Sequence, residues 1–148
     1  MLINKTVSYE NIYCNLFYEV NKTKLFPKNY FKQKNILYEY EKNNGSKKFI
    51  LVKIEDTIHY KYLINRDANM QIYKNYVELT NQPDHSIEKF DNLIGSFSEK
   101  KLLISKIKLE KINYKLRKYY IINDGCHRLS LLKFHNINLK NDYFEIIN

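Results

Sequence analysis

The 148-residue chain has no tryptophan, only two cysteines, two prolines and three glycines. Cys14 and Cys126 lie far apart and form no pair signature, which excludes a disulfide framework and indicates that both thiols are reduced. The first residues lack the apolar run of a signal peptide, and no stretch approaches the length of a membrane span. We therefore expect a cytoplasmic protein without a membrane-spanning segment.

The composition is that of a globular protein. Hydrophobic residues make up 44% of the chain, and 14 tyrosines bring the aromatic fraction to 15%. A chain of this length can bury a sizeable core, so we expect one domain over residues 1–148. Within it we expect a β-rich N-terminal extension over residues 1–66 and a core of mixed secondary structure over residues 67–148.

Positive charge is concentrated in one segment. The net charge is +9, and the segment from Glu99 to Lys118 contributes +6 of it through eight basic and two acidic residues. Such a strip attracts the phosphates of nucleotides, nucleic acids or lipid head groups. A solvated hairpin is the simpler interpretation, because lysine dominates over arginine and a base-reading pattern is missing. A nucleic acid is therefore the less favoured partner.

Hydrophobic periodicity divides the first part of the chain into a few elements. The segment Ser8 to Val20 fits neither helix nor strand clearly, and Lys24 to Lys34 reads as a connecting loop. Two β-rich runs around Asn-Gly predict a hairpin from Ile36 to Ile54. A further strand is predicted from His59 to Ile64, followed by a helix from Ala68 to Leu79 with Asp67 at its start.

The second part begins with a helix and ends with a strand. A helix is predicted from His85 to Phe97, capped by Asp84 or Ser86. We then expect a hairpin with arms Leu103–Leu109 and Lys118–Asn123, a helix ending at His135 and a last strand from Tyr143 to Ile147. This order predicts an α+β domain with a mixed sheet and helices on one side.

The most informative stretch is a strand, a turn and a helix from Tyr119 to Asn136. Its first part is aromatic and β-branched and ends in Asn-Asp-Gly, and its second part has apolar residues on one broad face. A helix that follows a glycine turn presents unpaired N–H groups and a positive dipole end to an anion. The stretch therefore predicts a phosphate site.

Each residue of the turn has a chemical use at such a site. Gly125 permits positive φ and close approach of a ligand, and Asp124 can cap the helix or hold a hydroxyl or metal-bound water. His127 and Arg128 offer donors to phosphate oxygens. Cys126 is either a thiolate nucleophile or a small buried residue. We expect no zinc site, because two further ligands at metal spacing are missing.

The motif Asp124–Arg128, followed by Leu129 to Phe134, resembles the Asp-Gly-x-His-Arg phosphate loop of the ParB/sulfiredoxin superfamily. The segment Phe90 to Phe97 is similar to the helix that leads into the loop strand in that superfamily. The resemblance covers residues 84–136 and implies a ParB/sulfiredoxin-like core for residues 67–148. It does not extend to residues 1–82.

The resemblance implies three activities. The free serine kinases of the superfamily have an Asp-Gly-His-His-Arg loop and an acidic base just before the preceding helix, a position where Asp84, His85 and Glu88 lie in this chain. Sulfiredoxins reduce a sulfinic acid with a Gly-Cys-His-Arg loop, which Gly125–Arg128 matches, although they usually have glycine where this chain has Asp124. ParB proteins bind CTP and DNA.

Of these activities, phosphotransfer is the one we expect. The substrates would be ATP or ADP with Mg²⁺ and a small hydroxylated metabolite, with nucleotide phosphates on Gly125, Cys126, His127 and Arg128. The catalytic candidates are Asp84, His85, Glu88 and Asp124, and no metal-binding residues are predicted. The alternatives are a non-catalytic module that binds nucleotide or nucleic acid, and a sulfiredoxin-like reductase that uses Cys126.

Overall fold

The computed structural model describes residues 7–82, 86–98, 100, 105–123 and 125–147. Its strands are β1 (Ile12–Val20), β2 (Thr23–Lys24), β3 (Ile36–Lys42), β4 (Lys47–Lys53), β5 (Ile107–Tyr114), β6 (Arg117–Ile122) and β7 (Phe144–Ile147). The α-helices used below are α1 (Ile58–Ile64), α2 (Arg66–Leu79), α3 (Ile87–Gly95) and α4 (Cys126–Phe134).

The described strands form one mixed sheet with the order β3-β4-β1-β6-β5-β7, and β2 is paired to β1 alone. The pairs β1·β6 and β5·β7 are parallel, whereas the other pairs are antiparallel. The predicted α+β class with a mixed sheet is therefore confirmed. Strand β1 lies between β4 and β6, so strands from residues 1–66 and from residues 67–148 share the same sheet.

The helices pack against one face of this sheet. Strand β1 alternates between the two faces, with Cys14 in the main core and Tyr13 in a smaller cluster on the opposite face. All four α-helices contribute buried residues to the main core, among them Tyr62, Tyr73 and Phe90. The opposite face carries strand residues, chiefly tyrosines and aliphatic side chains. None of the described helices is long and apolar enough to cross a membrane.

The prediction of a strand from His59 to Ile64 is wrong, because this segment forms α1. The Oγ1 atom of Thr57 accepts a hydrogen bond from Tyr60 N at 3.1 Å and caps the helix. Ile58 and Tyr62 are four residues apart and both fully buried, so the helical spacing puts them on one face of α1. The segment from Ser8 to Val20, left open by its sequence, contains β1.

The other boundaries differ from the predictions by a few residues. Helix α2 is capped by Asn65, whose Oδ1 accepts from Ala68 N at 3.2 Å, and not by Asp67. Ser86 caps α3, and it is one of the two capping residues that the sequence predicted. The polar residues from 110 to 117 extend the strands of the β5–β6 hairpin and form its turn.

A buried carboxylate fixes the long loop before β3. Asp56 is 3% exposed, and its Oδ2 accepts from Lys32 N at 2.7 Å and from Asn35 Nδ2 at 3.0 Å. The Lys61 ammonium on α1 lies 3.6 Å from Asp56 Oδ1 and also donates to Tyr30 O. Asp56 therefore joins the loop and α1 through two hydrogen bonds and one ion pair.

We predict that Asp56→Ala lowers the free energy of unfolding by about 3 to 5 kcal/mol, the usual cost of removing one member of a buried charged pair. Urea denaturation followed by far-ultraviolet circular dichroism measures the change. The control is Asp67→Ala, since Asp67 is exposed in the first turn of α2 and contributes at most about 1 kcal/mol through the helix dipole. Equal losses in the two variants would contradict the role assigned to Asp56.

Candidate functional site

The predicted phosphate turn joins the end of β6 to the start of α4. Gly125 is the residue before the first turn of the helix and has φ of 112°, a conformation that side chains strongly disfavour. A Cβ atom at this position would also lie 3.2 Å from Ile122 Cδ1. Glycine is therefore required here, and the absence of a Cβ lets the side chains of Ile122, Ile107 and Arg128 pack against its backbone. Asp124 lies outside the described residues.

Arg128 places its guanidinium beside the turn. Its Nη1 donates to the carbonyl oxygen of Ser105 at 2.7 Å and to Ser105 Oγ at 3.2 Å. Its Nη2 lies 3.5 Å from the position that a Cβ on Gly125 would take. Ser105 thus holds one edge of the guanidinium, while the other edge lies next to the glycine at the positive end of the α4 dipole.

His127 points in a different direction, toward the helices. Its Nε2 lies 2.5 Å from Tyr73 Oη on α2, and its ring packs against Phe90 on α3 with centroids 4.6 Å apart. The ring of His59 on α1 is 4.2 Å away. His127 therefore connects the start of α4 to α1, α2 and α3, and its Nε2 contacts the hydroxyl of Tyr73.

Cys126 faces the interior and not the turn. Its side chain is 6% exposed, and Sγ lies 4.0 Å from Ile122 O. It is hydrogen-bonded to Cys14 on β1, and burial followed by this contact raises the pKa of the Cys14 thiol well above its usual value. The two cysteines, distant in sequence, thus meet beneath the first turn of α4.

A set of polar side chains that the sequence does not reveal borders the rings of His59 and His127. Tyr62 Oη donates to Asp91 Oδ1 at 2.6 Å, and Arg66 Nη1 lies 3.9 Å from the same oxygen. The charge of Asp91 also contributes to the raised pKa of Tyr73, which is caused mainly by burial. These residues come from α1, α2 and α3, and only their packing brings them together, so no local pattern could have identified them.

The predicted catalytic residues at the start of α3 are only partly described. Asp84 and His85 lie outside the described residues. Glu88 is exposed in the first turn of α3 and borders a cleft of about 510 Å³ together with Lys74 and residues at the end of α2. Residues 125–128 do not line this cleft. Below the turn itself is a cavity of about 20 Å³, enough for about one water molecule.

Within the described ranges, no three His, Cys, Asp or Glu side chains form a group that could hold a metal ion. Comparison with known proteins finds no matching family model, no similar curated protein and no similar solved structure. Any functional proposal therefore follows from the geometry of the turn and its surroundings, together with the sequence motif.

The raised pKa of Tyr62 predicts that the folded protein loses stability at alkaline pH. Burial, followed by the hydrogen bond to Asp91, raises the pKa of Tyr62 to about 12. A tyrosine in the unfolded chain ionises near pH 10, so between about pH 10 and 12 the folded state holds the proton that the unfolded state has lost. The free energy of unfolding must therefore fall as the pH rises through this range.

We predict that Tyr62→Phe makes this fall shallower by up to about 1.4 kcal/mol per pH unit, because one of the groups responsible is removed. Urea denaturation at a series of pH values measures the slope for both proteins. Below about pH 9 the two curves should run parallel, since tyrosine is protonated in both states there. If the two curves of unfolding free energy against pH run parallel over the whole range, Tyr62 does not contribute to the loss of stability at alkaline pH.

Proposed function

We propose that this protein is a nucleotide-dependent phosphotransferase that acts on a small hydroxylated metabolite. In this proposal the nucleotide is ATP or ADP, and its phosphates bind at the turn before α4. The main support is that the Arg128 guanidinium lies beside Gly125 at the N-terminus of α4, where the helix dipole is positive. The other parts of the proposal depend on this anion site.

The turn supplies two kinds of phosphate ligand. The first N–H groups of a helix have no intrahelical acceptor, and they point toward the space in front of Gly125. Arg128 adds a positive charge and planar donors that match phosphate oxygens. Because consecutive helical residues point about 100° apart, His127 can pack inward while Arg128 stays at the turn. His127 then acts by positioning α4, and Arg128 is the residue that contacts phosphate.

Phosphoryl transfer requires a base for the acceptor hydroxyl. The hydroxyl loses its proton to a carboxylate, its oxygen bonds to the terminal phosphorus, and the P–O bond to the rest of the nucleotide breaks. Asp84, which precedes α3 in the sequence, is the carboxylate that we assign to this role, because Glu88 borders a cleft that residues 125–128 do not line. Mg²⁺ would neutralise phosphate charge, and it commonly binds through substrate phosphates with few protein ligands.

Membership of the ParB/sulfiredoxin superfamily is part of the proposal. It is supported by the motif Asp124–Arg128 and by the strand, glycine turn and helix in which the described part of that motif lies. A sulfiredoxin-like reductase would need Cys126 as an accessible nucleophile. Its thiol is buried beside Cys14, so we favour phosphotransfer over reduction.

We predict that Arg128→Ala weakens nucleotide binding by roughly ten- to a hundredfold, the usual effect of losing hydrogen bonds to a charged group. Isothermal titration calorimetry with ATP and ADP measures the affinity. The same variant and Asp84→Ala should abolish nucleotide turnover when the protein is offered a panel of hydroxylated metabolites.

The matched control is Arg117→Ala, because Arg117 is exposed at the start of β6, outside the turn. It should leave both affinity and turnover unchanged, and thermal melting should show that all variants remain folded. Nucleotide binding that survives Arg128→Ala would remove the phosphate site from the proposal. Binding without turnover on any metabolite would leave only a nucleotide-binding module.

A nucleic-acid-binding module is the second candidate, and the β5–β6 hairpin is the observation that favours it. Lys115 and Arg117 are exposed at and beside the two-residue turn, and Leu116 between them is fully exposed. The ring of Tyr114 lies next to the Lys115 ammonium, 5.3 Å from centroid to nitrogen. A cationic hairpin tip with an aromatic ring suits a phosphate backbone and its bases.

If this candidate is correct, affinity for a single-stranded oligonucleotide should fall steeply with salt, because bound cations are released from the phosphates. The double variant Lys115→Ala/Arg117→Ala should reduce the slope of log affinity against log salt by about two. Fluorescence anisotropy over a salt series measures this slope, with Arg128→Ala as the control. A slope that is unchanged in the double variant excludes the hairpin as the contact.

A further inference from the structure

The sheet is strongly curled, with its helix-free face on the inside. Tyr38 on β3 and Tyr114 on β5 have ring centroids only 4.8 Å apart, although three strands separate them in the sheet. In a flat sheet four strand spacings would put them about 19 Å apart. The curl therefore turns the face opposite the helices into a concave surface closed by a pair of tyrosine rings.

This concave surface contains a pocket of about 420 Å³. Two tyrosines on β3, Tyr38 and Tyr40, form one side, and isoleucines of β5 and β6 provide apolar contact. The polar lining consists of Asn15, Glu110 and Asn123, and Lys42 lies at the exposed end of β3. A few polar groups among aromatic and apolar walls are characteristic of small-molecule sites of this size.

A hydrogen-bond chain fixes the orientation of both amides. Glu110 accepts from Asn123 Nδ2 at 3.4 Å, and because an ionised carboxylate only accepts, Asn123 must direct its Nδ2 there. Asn123 Oδ1 in turn accepts from Asn15 Nδ2 at 2.9 Å, which leaves Asn15 Oδ1 on the far side of its amide. In the part of the chain that the structure describes, Asn15 Oδ1 is buried without a hydrogen-bond partner.

The pocket therefore presents a hydrogen-bond acceptor, which matches a ligand that carries donor groups. Asn15 Oδ1 is itself buried and the Asn15 amide also contacts Tyr40, so the acceptor that a ligand can reach is the Glu110 carboxylate. Glu110 is exposed at the pocket and provides a charged acceptor. Tyrosine rings favour a planar partner that stacks on them. The matching ligand is a planar heterocycle with N–H groups along one edge.

We propose that this pocket binds a nucleobase with an exocyclic amino group, with the donor edge toward Glu110 and the ring against Tyr38 and Tyr40. Guanine fits best, because its N1–H and amino group lie side by side and can both donate to one carboxylate. Uracil lacks the amino group and places carbonyl oxygens beside its N–H, so Glu110 repels it.

The pocket opens on the face of the sheet opposite α4, although Asn15 and Asn123 also line the small cavity below the turn. The inference therefore does not depend on the proposed phosphotransferase activity. Nucleosides, which carry no phosphate, are the appropriate probes because they need no contact with Arg128.

The test is a titration of the full chain with guanosine, adenosine, cytidine and uridine, followed by saturation-transfer NMR and calorimetry. Guanosine should bind most tightly and uridine at least roughly tenfold more weakly, as expected when a charged acceptor loses its donors. Glu110→Gln should weaken guanosine binding by roughly tenfold or more and bring its affinity close to that of uridine. Tyr38→Ala should weaken the binding of every nucleoside by about tenfold, because the base loses its stacking partner, and Tyr38→Phe should not weaken it.

Two matched controls decide the location of binding. Glu145→Gln removes an exposed carboxylate on β7, and Arg128→Ala alters the turn, so neither should change guanosine affinity. The proposal is overturned if no nucleoside binds, if all four bind equally, or if Glu110→Gln behaves like Glu145→Gln. It is also overturned if Arg128→Ala weakens nucleosides as much as Glu110→Gln does, because binding would then be at the turn.

Discussion

The parallel pairing of β1 with β6 is the interaction on which the rest of the structure depends. It joins only three residue pairs, Ile12 to Cys14 against Tyr120 to Ile122, yet it places an N-terminal strand beside the strand that leads into the turn. Alternation along β1 then puts Cys14 under α4 and Asn15 on the concave face. A shift of one residue in this register would exchange the two side chains.

The first turn of α4 is held in place by packing on its inner side. Leu129, Leu131 and Leu132 are fully buried, and each such side chain stabilises the fold by about 1.5 to 3 kcal/mol. His127 adds contacts with α1, α2 and α3 that order the beginning of the helix. A helix N-terminus held in this way would need little reordering to receive the anion that we propose, and such preorganisation favours affinity.

Local sequence signals predicted the parts of the fold that depend on neighbours in the chain. The strand, turn and helix around Gly125 could be recognised because β-branched residues, Asn-Asp-Gly and an apolar period follow one another directly. The segment from His59 to Ile64 is aromatic and β-branched, and its helix depends on the Thr57 cap and on contacts with α2 and α4. The propensity of that segment was therefore overridden by tertiary packing.

The site was predicted less completely than the fold, for the same physical reason. Gly125 and Arg128 belong to one short motif, so their proximity is local. The contact between Tyr73 and His127 spans 54 positions, and the hydrogen bond from Tyr62 to Asp91 spans 29. The concave pocket also depends on the curl of the whole sheet, which brings β3 toward β5. The periodicity of a single segment carries no information about contacts between residues that lie so far apart in the sequence.

Asn123 lies between the two proposed sites. Its side chain is the middle member of the hydrogen-bond chain from Asn15 to Glu110, and its backbone directly precedes the turn before α4. If both proposed sites bind their ligands, a ligand that orders this side chain would restrict the backbone at residue 123, and the second binding event would lose less conformational entropy. Any such coupling would be reciprocal by necessity, so that each ligand would alter the affinity of the other by the same factor.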